Sequence, residues 1–200
     1  MTLQEYIASL RGRTVAVIGI GVSNTPLLRL LLREGIAVTA CDRSDRAKLG
    51  ALAEELEAAG AVLRLGDGYL QNLSQDVIFR TPGLRPDVPE LEAARAGGSV
   101  ITSEMEVFFQ VCPCPIIAVT GSDGKTTTTT IIAELLRAAG HTVHVGGNIG
   151  HPLLAEADTI RPTDWAVLEL SSFQLMTMTH SPHIAVVTNL APNHLDVHKS

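Results

Sequence analysis

Aromatic residues make up only 4% of the 200-residue sequence, and no cluster of lysines or arginines offsets its net charge of −6. Proteins that bind single-stranded nucleic acid stack bases on aromatic side chains, and nucleic acids or membrane surfaces attract clustered basic residues. These shortages argue against a nucleic-acid or membrane partner. They leave room for one localised phosphate site, which needs only a lysine and well-oriented backbone amides.

Long apolar runs are also absent. No segment approaches the roughly 20 consecutive apolar residues that span a bilayer, and the N-terminus carries no signal-peptide pattern. The sequence has three cysteines, Cys41, Cys112 and Cys114, whose spacing does not match that of zinc ligands. We therefore expect reduced, partly buried thiols in a cytoplasmic protein.

Apolar runs of strand length alternate with stretches of helical periodicity along the whole chain. This alternation predicts an α/β protein with parallel, doubly wound sheets. The predicted strands are 14–20, 36–41, 61–65, 76–79, 115–120, 142–145, 164–170 and 183–189. The predicted helices are 24–34, 45–59, 89–96 and 126–139. Because the alternation restarts after Gly97-Gly98, we expect two domains, 1–100 and 101–200.

A glycine-rich turn, Gly19-Ile20-Gly21, directly follows the first predicted strand. Such a turn lets the backbone approach a phosphate at a helix N-terminus, and Asp42, at the end of the next strand, is placed to bind a ribose-like diol. Asn24 replaces the third glycine of the dinucleotide-binding pattern. The residues therefore leave three interpretations open: a nucleotide-like ligand in general, NAD or FAD in particular, or a structural turn.

A second glycine-rich turn lies between a buried strand and a helix, which is the context of a phosphate-binding loop. Its residues, with the threonine that follows, are Gly121, Ser122, Asp123, Gly124, Lys125, Thr126 and Thr127. Lys125 can reach the outer phosphates of a nucleotide, Thr126 can ligate Mg²⁺, and Thr127 can face the same phosphates. The usual pattern has its first glycine where this chain has Val119, so the alternative is a capped turn with a surface lysine.

Glu169 supplies a carboxylate for the metal near the C-terminal end of the predicted strand 164–170. Ligands of open α/β sheets bind at that edge, so we expect Glu169 and Lys125 to lie together. A carboxylate among apolar neighbours is costly to bury unless a metal or a structural partner compensates it. Further on, His194 and His198 have the spacing of a zinc pair, but the surrounding loop lacks the glutamate of that motif.

Five segments occur in the order typical of the Mur ligases of peptidoglycan precursor synthesis, and the chain resembles this family over essentially all of its length. They are IGIGVS (18–23), TPGL (81–84), VTGSDGKTTT (119–128), GGNIG (146–150), and LELSSFQL (168–175) followed by NHLD (193–196). The family's phosphate loop has the shorter form G-[ST]-x-G-K-[ST], which accounts for Val119. The resemblance implies a Rossmann-like UDP-binding domain, 1–100, followed by the N-terminal part of a P-loop-type Mur ligase central domain, 101–200.

The resemblance also implies an ATP-dependent ligase. The γ-phosphoryl group of ATP would activate the alanyl carboxylate of UDP-N-acetylmuramoyl-L-alanine as an acyl phosphate, which the amine of D-glutamate attacks. With ATP and Mg²⁺ as cofactors, the implied catalytic residues are Lys125, Glu169 and His194, and the implied metal contacts are Thr126, Glu169 and His194. The residues implied to bind the UDP-sugar are Val22, Ser23, Asp42, Gly83, Asn148, Ser171, Gln174 and His194. The expected state is a cytoplasmic monomer.

Three features depart from the family pattern. Asp123 stands where many relatives have asparagine. Asp42 is followed by Arg43 and then Ser44, so the arginine expected two residues after Asp42 is displaced, which leaves the uracil contacts open. The family also continues beyond this length, with a carbamylated lysine and a C-terminal domain. We therefore expect an N-terminal fragment that binds the UDP-sugar weakly and does not turn over alone. The alternatives are a non-catalytic UDP-sugar-binding module, an NAD-dependent oxidoreductase and a sister ligase.

Overall fold

A computed structural model describes residues 1–150 and 152–192, and it contains two parallel β-sheets flanked by helices. The strands of the first sheet are β1 (Val15–Ile18), β2 (Val38–Asp42), β3 (Val62–Leu65), β4 (Val77–Phe79) and β5 (Val100–Thr102). Their order is β3-β2-β1-β4-β5, and each neighbouring pair is parallel. The strand order reverses at β1, so the crevice at the carboxyl ends of β1 and β4 is the expected ligand position of this sheet.

The second sheet carries the other glycine-rich turn. Its described strands are β6 (Ile116–Thr120), β7 (Val143–Gly147), β8 (Trp165–Glu169) and β9 (Ile184–Val187), in the order β7-β8-β6-β9. Val119 of β6 pairs with Glu169 of β8 on one side and with Val186 of β9 on the other. The segments that follow these three strands therefore meet at one edge. Both sheets confirm the predicted parallel α/β fold class.

Helices connect the strands. They are α1 (Leu3–Leu10), α2 (Thr25–Arg33), α3 (Arg46–Leu49), α4 (Ala51–Ala58), α5 (Pro89–Ala96), α6 (Glu104–Val111), α7 (Lys125–Ala138) and α8 (Ser172–Leu175), with a 3₁₀ helix at Leu154–Thr159. Pro89 begins α5 because its fixed φ suits the first helical position, where no intrahelical N–H bond is needed. Within the described residues, none of these helices is long and apolar enough to cross a bilayer.

The predicted helix 45–59 is wrong in one respect, because it is two helices. Gly50 adopts φ +55° and ψ −130°, a backbone conformation that ends α3 and starts α4. Hydrophobic periodicity also misses α1, α6, α8 and β5. A hydroxyl cap marks all three of these helices, since Thr2 Oγ1 accepts from Glu5 N–H, Ser103 Oγ from Glu106 N–H and Ser171 Oγ from Gln174 N–H. The pattern of a hydroxyl residue followed three positions later by glutamate or glutamine was the available sequence signal.

The connection between the two sheets is buried. β5 crosses the predicted domain boundary at residue 100 and pairs with β4, so the first sheet extends to Thr102. After it, α6 buries Phe108 in an apolar cluster that also contains Val17 of β1 and Ala118 of β6. The two sheets therefore share one continuous core. The division into domains 1–100 and 101–200 remains a prediction.

Candidate functional site

The second glycine-rich turn joins the end of β6 to the start of α7, as a phosphate-binding loop does. Gly121 has φ +136° and Gly124 has φ +78°, in the region that favours glycine. A Cβ added at Gly121 would overlap Thr188 Oγ1 and lie 2.9 Å from the carbonyl oxygen of Asn189. The loop therefore has glycine where its backbone conformation and its close packing require it.

Lys125 is the first residue of α7. Its Nζ donates to the carbonyl oxygens of Gly121 at 2.8 Å and Ser122 at 3.0 Å. These acceptors are neutral, so an anionic phosphate near the helix N-terminus can replace them in a stronger, charge-assisted bond. Thr126 and Thr127 follow on the first turn of the helix, and both are exposed.

The segment that follows β9 supports this loop, a role that sequence reasoning did not assign to it. Thr188 Oγ1 donates to the carbonyl oxygen of Asp123 at 2.6 Å, and Asp123 N–H donates to Asn189 Oδ1 at 2.9 Å. Ser122 Oγ donates to the carbonyl oxygen of Ala191 at 2.7 Å. The backbone carbonyl and N–H of Asp123 thus bind the phosphate loop to the segment that follows β9. The available sequence signal was the prediction of parallel strands, since the segment that follows a parallel strand beside β6 must lie next to the loop that follows β6.

Glu169 lies at the end of β8 and is 2% exposed. Its Oε2 accepts from Thr126 Oγ1 at 2.6 Å, and its Oε1 accepts from Asn148 Nδ2 at 2.8 Å. Both donors are neutral, so within the described residues this buried carboxylate has no cationic hydrogen-bond partner. A carboxylate beside a hydroxyl matches the oxygen donors that Mg²⁺ prefers. The fold therefore brings three predicted site residues together in an arrangement that fits a magnesium ion.

A cavity of about 380 Å³ opens between these segments. Its lining includes Gly121, Ser122, Lys125, Asn148, Ser171 and Leu190. The phosphate loop and two of the residues implied to bind the UDP-sugar therefore face the same space. A phosphoryl donor held by the loop would be next to an acceptor held by Asn148 and Ser171, which is the arrangement that group transfer needs.

Ser171 and Gln174 form a capping box at the start of α8. Gln174 Oε1 accepts from Ser171 N–H at 2.9 Å, and Ser171 Oγ accepts from Gln174 N–H at 3.3 Å. The Gln174 side chain is buried and lines a narrow cavity together with Ser23 and Glu104. Gln174 thus shapes the backbone that presents Ser171, and its own contact with substrate remains a prediction.

Arg80, which the sequence did not single out, lies between the two sheets and is 1% exposed. Its guanidinium donates to the carbonyl oxygens of Thr81 and Pro82, both at 3.1 Å, and to that of Leu84. It also donates to Thr177 Oγ1 at 3.0 Å. Burial lowers the pKa of Arg80 below its usual value. This side chain therefore connects the TPGL loop of the first sheet to the segment after α8.

A second cavity, of about 200 Å³, lies at the carboxyl ends of β1 and β4. Its lining includes Gly19, Asp42, Arg43, Tyr69, Thr81 and Gly83. Asp42 Oδ2 accepts from Ile20 N–H at 2.6 Å, and its Oδ1 accepts from Ser44 N–H at 2.7 Å. The carboxylate therefore joins the glycine-rich turn to the loop after β2 and also borders the cavity.

The remaining predicted residues are distributed around these cavities. Asn24 is buried, and its Nδ2 donates to the carbonyl oxygen of Ile18 at 2.9 Å, so a hydrogen bond ties α2 to β1 where the dinucleotide pattern has a glycine. Val22 is 80% exposed at the turn before α2, which keeps it accessible to a ligand. His194 and His198 lie outside the described residues.

Comparisons with known proteins agree with the resemblance. Residues 119–200 match the Mur ligase middle domain. Over 199 residues the chain is 54% identical to the UDP-N-acetylmuramoylalanine–D-glutamate ligase of Acetivibrio thermocellus and 52% identical to that of Ruminiclostridium cellulolyticum. These matches cover 99% of this chain and 43% of each relative. The chain thus spans less than half the length of these curated relatives.

A solved structure supports the fold. The UDP-N-acetylmuramate:L-alanyl-gamma-D-glutamyl-meso-diaminopimelate ligase from Neisseria meningitides matches 92% of this chain and 63% of its own with a TM-score of 0.52. At 21% identity this match speaks for the fold alone. The middle-domain match thus covers residues 119–200, and the whole chain is similar to part of the UDP-N-acetylmuramoylalanine–D-glutamate ligases.

Proposed function

We propose that this chain supplies the UDP-sugar-binding and ATP-phosphate-binding parts of a ligase that adds D-glutamate to UDP-N-acetylmuramoyl-L-alanine. The observation that carries the proposal is the meeting of the Lys125 loop, the Thr126–Glu169 pair and Asn148 at one sheet edge. Relatives that are 54% and 52% identical are named for this reaction. Because the similarity covers 43% of those relatives, the complete activity belongs to the proposal.

The chemistry requires activation of a carboxylate, which is a poor electrophile. Transfer of the γ-phosphoryl group of ATP to the alanyl carboxylate yields an acyl phosphate. The amine of D-glutamate then attacks the acyl carbon, and the bond to phosphate breaks from the tetrahedral intermediate. Lys125 Nζ and the loop amides of residues 121–124 would bind the phosphates and stabilise the charge that develops during transfer. Their main contribution is positioning and charge neutralisation.

Thr126 and Glu169 would hold Mg²⁺, which neutralises phosphate charge when it is bound. The described geometry supports this assignment, because Glu169 is buried and accepts only neutral donors within the described residues. His194 is the third predicted contact. Since ATP is the proposed phosphoryl donor, the proposed setting is the cytoplasm.

The UDP end of the substrate is assigned to the first sheet. Asp42 and Gly83 border its cavity, beside the glycine-rich turn that follows β1. Asn148 and Ser171 border the cavity at the phosphate loop, so they would bind the muramoyl-alanyl end. We therefore propose that residues 1–100 act as the UDP-binding domain and that residues 101–200 bind ATP.

Isothermal titration calorimetry on the chain tests the proposal with three ligands: UDP-N-acetylmuramoyl-L-alanine, Mg–ATP and NADH. The wild-type chain should bind the first two. Lys125→Ala should weaken Mg–ATP binding by about tenfold or more, because it removes a charge-assisted phosphate contact, while leaving UDP-sugar binding unchanged. Lys48→Ala, at an exposed lysine of α3, is the matched control and should bind both ligands normally.

The possible outcomes are distinct. Binding of NADH without the UDP-sugar would favour an oxidoreductase and overturn the assignment of the first cavity. Retention of full Mg–ATP affinity by Lys125→Ala would overturn the assignment of the phosphate loop. Binding of the UDP-sugar alone, with no Mg–ATP binding by the wild-type chain, would favour the non-catalytic module.

A further inference from the structure

The connection between α6 and β6 brings two cysteine sulfurs together, away from the proposed nucleotide site. Cys112 follows α6, and Cys114 comes two residues before β6. Their Sγ atoms are 3.6 Å apart, and Cys112 Sγ also lies 3.6 Å from the carbonyl oxygen of Cys114. We propose that Cys112 and Cys114 form a reversible dithiol–disulfide site, in which Cys112 reacts first with small disulfides and Cys114 then closes the intramolecular bond.

The two sulfurs differ in accessibility, which sets the order of their reactions. Cys114 is 1% exposed and belongs to the main apolar cluster. Cys112 is half-buried and borders a surface cavity of about 330 Å³, together with Gln110 and Asp158. A small molecule can therefore approach Cys112 from solvent, whereas Cys114 is placed to meet only its neighbour.

The hydrogen bond between the sulfurs favours the same order. It lowers the pKa of Cys112 and raises the pKa of Cys114, and burial raises the latter further. Because the thiolate is the nucleophile, Cys112 is the reactive member of the pair. The third cysteine, Cys41, is fully buried, and burial raises its pKa to about 11. Cys41 therefore serves as an internal, unreactive reference.

The reaction is a two-electron thiol–disulfide exchange with a small disulfide such as oxidised glutathione. The Cys112 thiolate attacks one sulfur of the oxidant, whose S–S bond breaks and releases one glutathione thiolate. That thiolate takes up the proton of Cys114, and the Cys114 sulfur attacks the Cys112 sulfur of the mixed disulfide. The Cys112–Cys114 bond forms and a second glutathione thiolate leaves, so the protein dithiol is oxidised and glutathione disulfide is reduced.

The spacing of the pair predicts a labile bond. A disulfide between residues two apart closes a very short ring, which strains the bond and makes it easy to reduce. Such a short loop also restricts the unfolded chain only slightly, so the bond would stabilise the fold little. These properties are typical of a reversible site and differ from those of a structural disulfide.

Intact-mass spectrometry of the 200-residue chain in excess oxidised glutathione tests the proposal. The wild-type chain should lose two hydrogen masses without retaining glutathione, and dithiothreitol should reverse the change. Cys114→Ser should stop at a glutathione adduct on Cys112. Cys112→Ser should react at least about tenfold more slowly, because its remaining thiols are buried. Cys41→Ser is the matched control and should behave as wild type.

Two results would overturn the proposal: a wild-type chain that remains a dithiol, or one that keeps a stable glutathione adduct on Cys112. Equal reaction rates for Cys112→Ser and Cys114→Ser would contradict the assigned order. Circular dichroism of each variant confirms that the fold is retained, and peptide mapping identifies the bonded cysteines.

Discussion

The hydroxyl of Thr126 donates a hydrogen bond to Glu169 Oε2 across 2.6 Å, which joins the start of α7 to the end of β8. Asn148 Nδ2 occupies the other carboxylate oxygen at 2.8 Å. Neutral donors alone compensate a buried negative charge poorly compared with a cation. The pair is therefore suited to accept a divalent cation beside the phosphate loop.

Glu169→Gln should remove the Mg²⁺ dependence of ATP binding. The amide keeps the size of the side chain but lacks the charge that Mg²⁺ needs, so we expect ATP affinity to change little when Mg²⁺ is added. Calorimetric titration of ATP with and without Mg²⁺ measures this. Glu134→Gln, at an exposed position of α7, should retain the dependence shown by the wild-type chain. A strong Mg²⁺ effect in Glu169→Gln would place the cation elsewhere.

Gly121→Ala should disrupt the phosphate loop through two separate effects. Its φ of +136° is unfavourable for alanine, and the new Cβ would overlap Thr188 Oγ1. Gly60→Ala isolates the first effect, because Gly60 has φ +101° and no atom within 4 Å of an added Cβ. We expect about 1–2 kcal/mol of destabilisation for Gly60→Ala and more for Gly121→Ala, which should also lose ATP binding.

Thermal unfolding compares the stabilities of the two glycine variants, and ATP titration compares their ATP affinities. Thr188→Ala in the Gly121→Ala background should give at most partial recovery, since the carbonyl oxygen of Asn189 remains 2.9 Å from the added Cβ. Equal stability of Gly121→Ala and Gly60→Ala would show that the loop shifts without cost, contrary to this expectation.

Much of the fold was predictable because the central strands of each sheet, β1 and β4 in the first and β6 and β8 in the second, are buried and read as short apolar runs. Pro89–Ala96 matches the predicted helix at both ends, since a proline begins it and a glycine follows it. Gly50 was less informative, because a single glycine within a helical pattern can be tolerated. Its backbone conformation depends on how α3 and α4 pack, which periodicity does not report.

The part of the candidate site that lies at the carboxyl ends of neighbouring strands was predictable from the sequence. Lys125 and Glu169 were placed at one edge by the rule that parallel strands present their carboxyl ends together. Arg80 was missed, because its role depends on carbonyl oxygens of the TPGL loop and on Thr177, which is 97 residues away in the sequence. A local pattern contains no information about such a partner.

Glu104 should make the stability of the chain depend on pH. It is 6% exposed and lines the same narrow cavity as Arg80, and burial raises its pKa from 4.5 to about 7. The unfolded state therefore releases this proton at lower pH than the folded state. The contribution of Glu104 to stability is fully present below pH 4.5 and is lost as pH rises to about 7.

Glu104→Gln should flatten this part of the pH dependence by roughly 3 kcal/mol, since about 2.5 pKa units at 1.36 kcal/mol each are removed. Urea unfolding between pH 4 and pH 8 measures the difference from wild type. Glu54→Gln, at an exposed position of α4, is the matched control and should leave the profile unchanged. Identical profiles for Glu104→Gln and wild type would mean that Glu104 titrates at its ordinary pKa.

Arg80→Met should destabilise the chain by about 3 kcal/mol or more. Methionine fills much of the volume but removes the guanidinium donor of the Pro82 and Leu84 carbonyl oxygens, whereas the Thr81 carbonyl oxygen keeps the N–H of Leu84. Each buried group left unsatisfied costs about 1–3 kcal/mol. Thr177→Val is the matched comparison, because it removes one hydrogen bond from the same guanidinium and should cost about 1 kcal/mol.

Urea unfolding and calorimetric titration with the UDP-sugar together separate the two contributions of Arg80. If its chief effect is to organise the TPGL loop, Arg80→Met should weaken UDP-sugar binding while Thr177→Val does not. If the bond to Thr177 carries the effect, the two variants should lose stability equally, and the loop assignment would be wrong. The first outcome is expected, because the guanidinium donates to three carbonyl oxygens of that loop, and beyond it only to the Thr177 hydroxyl and, at 3.4 Å, to the carbonyl oxygen of Phe173 among the described residues.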